Sequence, residues 1–562
     1  MSRSLVHLKM ILKQLLIIGL IVMPTPIFAN SNIAEKPPMG WNSYDCFGFS
    51  VTEAEVKANA DYMAEHLKEF GWEYVVVDFL WYGEDYTDSN WQKSKPPINI
   101  DEYGRMIPSL DLHPSAADGA GFKPLADYVH SLGLKFGIHL MRGIPWNAVE
   151  QDVPIKNTEY TATDIYSNQG LCPWYRGMKT VDMDKPGAQE YYDSLIELYA
   201  SWGVDYIKID DIQRGTSNEW HPKEIIGYEK AIEKSGRDIV LSLSPGPASL
   251  SNAEFLVEHA NLIRISSDVW DNYDKWVKPQ FEKCADWAEY TGPGHWPDAD
   301  MLPLGKISIR SEAAYAHDQK PRYTRLSRDE QITMMTLWSI FRSPLMFGGH
   351  LPENDDWTLS LITNKDVLAV NQHSTNNRQI YNRSGIKIWA ADVPESDDQY
   401  IAFFNTTSTN PKTVTLELAD IGISGSVRVR DLWAKSDMGA FTESFSAEIN
   451  SHGAGLYRLS PDETSDIRNE QSSKPAKFSL LQNYPNPFNP KTEIQYSLPQ
   501  SGHVKLAVYD LMGHQVAELV NKNQPIGSHR VTFDGSDLSS GLYFYTLEVD
   551  KQSQSRTMIL TK

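Results

Sequence analysis

The chain has 562 residues, 41% of them hydrophobic, enough for more than one buried core, and its 16 Trp and 27 Tyr suit either core filling or stacking on sugar rings. A formal net charge of −21 opposes a phosphate backbone, so no nucleic acid is expected as a partner and neutral or weakly charged substrates are favoured. Cys46, Cys172 and Cys284 lack C-x-x-C spacing; they allow at most one intrachain disulfide and argue against a cysteine-based zinc site.

In chain order, residues 1–29 read as a signal peptide. Arg3, Lys9 and Lys13 precede an apolar run over 15–22, and Ala29 offers a small residue for cleavage. That run is short for a bilayer span and no later segment reaches the ~20 apolar residues one needs, so export without a stable membrane span is expected. From Pro37 to about Gly349, short β-branched or aromatic runs alternate with amphipathic stretches, the pattern of parallel strands and crossover helices. Strand candidates fall at 39–43, 74–79, 135–140, 206–210, 239–243, 262–266, near Met301, and at 344–347. Between the first two, Thr52 and Glu55 have capping-box spacing ahead of an apolar stripe of Val56, Ala60, Met63 and Leu67.

Eight such strands predict an α/β fold, a (β/α)8 TIM barrel over residues 30–372, with its working groups where strands end. Asp78, His139, Asp210 and Asp268 stand at such ends. Lys208, two residues before Asp210, shares its strand face and is placed to keep that carboxylate ionised. Asp211 faces the other way and receives no catalytic role. Beyond, residues 373–460 alternate in short runs as a small antiparallel β-sandwich, 461–477 read as a polar linker, and 478–562 as another all-β domain.

Two resemblances sharpen this reading. Tyr484-Pro485-Asn486-Pro487-Phe488-Asn489-Pro490, with Ser540-Gly541-Leu542-Tyr543-Phe544-Tyr545, resembles the C-terminal sorting domain of type IX secretion. It implies delivery by that machinery and a secreted or cell-surface location; a carbohydrate-binding module is the alternative. The barrel resembles glycoside hydrolase family 27, the melibiase or α-galactosidase family, through Pro38-Met39-Gly40-Trp41-Asn42-Ser43, Tyr74-Val75-Val76-Val77-Asp78, Tyr206-Ile207-Lys208-Ile209-Asp210, Arg264-Ile265-Ser266-Ser267-Asp268 and Trp296-Pro297-Asp298-Ala299-Asp300-Met301-Leu302, in the family's order.

That resemblance implies a retaining double displacement with Asp210 as nucleophile and Asp268 as acid/base. It also implies a sugar-facing Tyr44, hydroxyl contacts from Asp78, Lys208 and Arg264, a site or supporting role for Asp300, and no metal or other cofactor. The chain departs from the family pattern where Phe79 replaces a second aspartate after Asp78, Ser244 replaces a glutamate after strand five, and His139 replaces a tyrosine. The expected reaction is removal of terminal α-D-galactosyl residues from galactose-containing oligo- or polysaccharides. The alternatives are β-L-arabinopyranosides, α-N-acetylgalactosaminides, or non-catalytic galactoside binding.

Overall fold

The computed structural model describes residues 33–84, 95–214, 219–310, 320–462, 478–481, 483, 486, 488–549 and 552–561. The expected signal peptide and most of the expected linker lie outside the described residues, as do Tyr484, Pro485 and Pro487 of the sorting motif. The chain divides into two compact units, Met1–Asp462 and Glu463–Lys562.

The first unit opens with eight parallel strands in one sheet: β1 (Met39–Asn42), β2 (Tyr74–Val77), β3 (Lys135–Met141), β4 (Tyr206–Asp210), β5 (Val240–Leu243), β6 (Leu262–Arg264), β7 (Trp296–Asp298) and β8 (Leu345–Phe347). Their order is β7-β6-β5-β4-β3-β2-β1-β8. Strands β1, β2 and β5 are buried at every position, as expected of strands covered on both faces. The seventh strand is not centred near Met301 but lies earlier, at Trp296–Asp298. The chain then leaves the ladder, turns at Asp300 with φ +88°, and returns at Leu302, which bridges in parallel to Phe347 of β8. That bridge, with Leu302 N donating to Met346 O at 2.8 Å, closes the ring.

Helix α1 (Glu53–His66) starts at the expected capping box, with Thr52 and Glu55 exchanging bonds that satisfy otherwise orphaned amides. It buries Val56, Ala60 and Met63. Between β3 and helix α2 (Ala188–Trp202) the chain makes a long excursion with three short strands, 144–145, 166–167 and 178–181. Gly143 begins it at φ +91°, where an added Cβ would lie 2.1 Å from Lys179 O. Helix α3 (Pro222–Ser235) follows β4, and helix α4 (Arg328–Phe341) precedes β8.

Eight antiparallel strands complete this unit: β9 (Thr375–Arg383), β10 (Ile386–Asp392), β11 (Gln399–Asn405), β12 (Lys412–Glu417), β13 (Ser426–Asp431), β14 (Ser436–Thr442), β15 (Ser444–Ile449) and β16 (Ala454–Pro461). A sheet β9-β10-β11-β16-β13-β14 and a pair β12-β15 enclose a core containing Ile401, Phe403, Val429 and Phe445. Helix α4 is buried from Thr333 to Phe341, and Trp433 Nε1 donates to Thr336 Oγ1 at 2.8 Å. The second unit has a three-stranded sheet from 479–480, 491–498 and 527–534, and a four-stranded sheet from 502–509, 515–524, 541–549 and 552–560. Ile494, Tyr496, Leu506, Tyr545 and Leu547 lie in its core. All three cysteines are free and buried. No helix among the described residues is long and apolar enough to cross a membrane.

Candidate active site

The C-terminal ends of the barrel strands enclose a cavity of about 480 Å3, within the range of small-ligand sites. Asp210 ends β4, and its side chain keeps 15% exposure. Its Oδ2 lies 3.2 Å from His139 Nε2 and its Oδ1 accepts from the Asp211 amide at 2.8 Å. Burial favours the neutral acid, but the His139 bond, Lys208 and the Asp211 amide outweigh it and hold Asp210 below the ordinary carboxylate range. Asp268, four residues past the end of β6, is 56% exposed and accepts from Arg264 Nη2 at 2.8 Å. The two carboxyls therefore face one cavity from different surroundings, one enclosed and one open to solvent.

Lys208, buried on β4, reaches Asp78 Oδ2 at 3.0 Å, where Asn42 Nδ2 also donates at 2.6 Å. Burial would lift Asp78, but Lys208, His139 and these bonds hold it well below its usual range, and Asp78 in turn raises Lys208. Arg264 is 2.6 Å from Asp300 Oδ2, so one guanidinium ties Asp268 to Asp300. Asp300 also accepts from the Val269 amide at 2.6 Å, and burial together with the neighbouring carboxylates pushes it up against the pull of Arg264. Asp211 points away into a buried pair with Arg142 at 2.8 Å, consistent with the alternation along the strand.

Tyr44, Asp78, Phe79, Lys208, Asp210, Ser244, Arg264, Asp268 and Asp300 all line the cavity. His139 does not. It is buried behind Asp210, so its contact is with that carboxylate. Phe79 lies beside His139, with ring centroids 5.4 Å apart, and beside Trp174 at 5.7 Å, giving the β2 side an aromatic wall.

Several lining residues escaped the sequence reading. Trp174 arrives on the excursion after β3, Arg214 after β4, Trp270 and Trp276 after β6, and Asp45 in the short helix Tyr44–Phe47. The run of aromatic residues Trp270, Tyr273 and Trp276 just past Asp268 was the available signal for two of them. Trp276 sits on the turn Tyr273–Val277, whose Tyr273 ring stacks on His452 at 4.1 Å. Among the described residues, no three His, Cys, Asp or Glu side chains converge as a metal site.

Comparison with known proteins agrees with this architecture. Residues 168–320 match the family description "Alpha galactosidase A", 383–459 match "Alpha galactosidase C-terminal beta sandwich domain", and 482–561 match "Secretion system C-terminal sorting domain". An alpha-galactosidase of Cyamopsis tetragonoloba is 29% identical over 441 residues, covering 77% of this chain and 88% of its own length. Among solved structures, a GH27 β-L-arabinopyranosidase from Geobacillus stearothermophilus is 50% identical with a TM-score of 0.74, over 77% of this chain and 98% of that one. The fold is shared with alpha-galactosidase I from Mortierella vinacea at 23% identity and a TM-score of 0.59, over 77% and 99% of the two chains. With a strand-end carboxylate cavity, a β-sandwich following the barrel and half of the aligned residues shared with a family member across nearly that member's whole length, the chain belongs to glycoside hydrolase family 27 and carries a type IX secretion sorting domain.

Proposed function

We propose that the protein is an exported retaining glycosidase whose preferred glycone is β-L-arabinopyranose, with terminal α-D-galactose the second substrate. Asp210 is the nucleophile: its carboxylate attacks the anomeric carbon as the glycosidic C–O bond breaks, and Asp268 gives its proton to the departing oxygen. Asp268, now a carboxylate, takes a proton from water; that water's oxygen attacks the anomeric carbon and Asp210 is released. The differing surroundings of the two carboxyls support these roles, because the nucleophile needs stabilised charge and the acid/base needs proton exchange with solvent.

The glycone assignment rests on Phe79. L-arabinopyranose presents the outline of galactose without its hydroxymethyl arm, and a phenyl ring beside Asp78 fits a sugar with no hydroxyl to satisfy there. The 50% identity to an arabinopyranosidase, against 29% to a curated alpha-galactosidase, favours the same choice. Buried Ser244 in the lining also leaves room for an acetamido group, which keeps α-N-acetylgalactosaminides in the test panel.

Wild-type protein assayed on the three p-nitrophenyl glycosides should show kcat/KM at least about tenfold higher on β-L-arabinopyranoside than on α-D-galactoside. Equal or reversed ratios overturn the glycone assignment. Phe79→Asp should move the ratio toward galactoside by about 10- to 100-fold. Asp210→Asn should abolish turnover of every substrate; retained activity would remove the assigned mechanism.

A further inference from the structure

Asp45 follows β1 in the helix Tyr44–Phe47, lines the cavity and is 4% exposed. Its place is fixed from two sides. Its backbone carbonyl accepts from the Ser308 amide at 2.8 Å. Gly348, just past β8, packs against its carboxyl so closely that a Cβ there would fall 2.0 Å from Oδ2 and 2.6 Å from Cγ. The carboxyl therefore has no room to withdraw toward β8.

Its polar capacity is not used by the protein. Among the described residues Asp45 Oδ2 has no hydrogen-bond partner. The cations of the cavity are engaged elsewhere, Lys208 with Asp78, and Arg264 with Asp268 and Asp300. Asp45 Oδ2 is closed to solvent against Gly348, so a ligand meets the carboxyl on the face it turns to the cavity, where a hydrogen bond reduces the cost of about 1 to 3 kcal/mol that a buried polar group without a partner carries.

Resting on the reading of this cavity as the glycone site, we infer that Asp45 is a substrate-binding residue whose carboxyl group donates a hydrogen bond to one ring hydroxyl and so helps select the sugar. Burial and the nearby carboxylates of Asp300, Asp268 and Asp78 push Asp45 well above the usual carboxylate range, overriding Lys208, so it keeps its proton. A protonated carboxyl both donates and accepts, whereas an ionised one, such as Asp78 or Asp210, only accepts. A sugar hydroxyl that donates to a neighbouring carboxylate keeps lone pairs free, and the Asp45 proton meets one of them. Buried acids kept neutral to donate a hydrogen bond are an established device of active sites.

The test compares wild type, Asp45→Asn and Asp45→Ala in the full chain, using kcat/KM on the p-nitrophenyl glycoside and its monodeoxy derivatives, calorimetric titration with L-arabinose and D-galactose, and thermal unfolding. Asp45→Ala should lose about 10- to 100-fold in kcat/KM and in monosaccharide affinity, and that loss should vanish on the one deoxy substrate lacking the contacted hydroxyl. Asp45→Asn, which keeps a donor, should stay within about threefold of wild type. Equal losses on every deoxy substrate, an unaffected Ala variant, or an Asn variant as damaged as Ala at an unchanged unfolding temperature overturns the inference. Wild-type preference for galactoside would instead overturn the arabinopyranoside assignment, and the same deoxy series on galactosides would still decide the role of Asp45.

Discussion

His139 bonds the carboxylate that the proposed mechanism requires to be charged. Because that bond favours the ionised form of Asp210, the acid limb of kcat/KM should lie below the ordinary aspartate value near 4. His139→Ala should move that limb upward and lower kcat more than it changes KM; a pH profile unchanged in the variant would remove the positioning role. Asp78 presents the linkage to stability. Its folded value is depressed, so the stability it contributes through Lys208 is fully present above the unfolded carboxylate value and is lost as pH falls through the folded one. Asp78→Asn strands a buried ammonium and should cost about 3 kcal/mol, read as a lower unfolding midpoint at neutral pH that converges toward wild type in acid. These strand-end residues were legible because alternation and strand position dictate where Asp78, Lys208 and Asp210 point. Asp45, Trp174 and Trp276 were not, since each reaches the cavity on a loop or short helix whose path depends on distant packing. His139 shows the intermediate case: its strand was evident, but nothing local distinguishes a ring facing the sugar from one facing Asp210.

At the scale of elements, the excursion between β3 and α2 builds one wall of the site. Arg142 pins it by donating to Gly170 O, and Gly143 lets the backbone pass Lys179 without a side chain between them. Gly143→Ala should displace Trp174 from Phe79 and raise KM with little change in the ionisation of Asp210; crystallography and a pH profile together would check both halves. The opposite wall depends on the sandwich, because His452 stacks on Tyr273 and is held by Glu330 of α4 at 2.8 Å. Most barrel strands stood out as apolar runs between amphipathic helices, β2 and β4 most clearly. The seventh did not, because Trp296-Pro297-Asp298 is three residues long, with a proline at its centre and an acid at its end, which are poor strand signals. The apolar Met301-Leu302 that drew attention instead belongs to the segment that closes the ring.

For the molecule as a whole, separation into two compact units predicts that a chain ending at Asp462 keeps its glycosidase activity. The last strand of the sandwich is complete by then, and the Asp462 amide donates to Ser426 O at 2.8 Å. Such a protein should match the full chain in kcat/KM within about twofold, because none of the cavity residues lies beyond that point; a larger loss would make the sorting domain part of the catalytic unit. The closure at Leu302 adds a different kind of consequence. A regular strand must alternate its side chains, so it can offer the barrel mouth only every second residue. By interrupting hydrogen-bond pairing after Asp298 and reversing φ at Asp300, the chain presents two neighbours, Asp300 and Met301, to the same cavity before the ladder resumes. The irregular seam thus exchanges a stretch of sheet pairing for a denser lining of the active site.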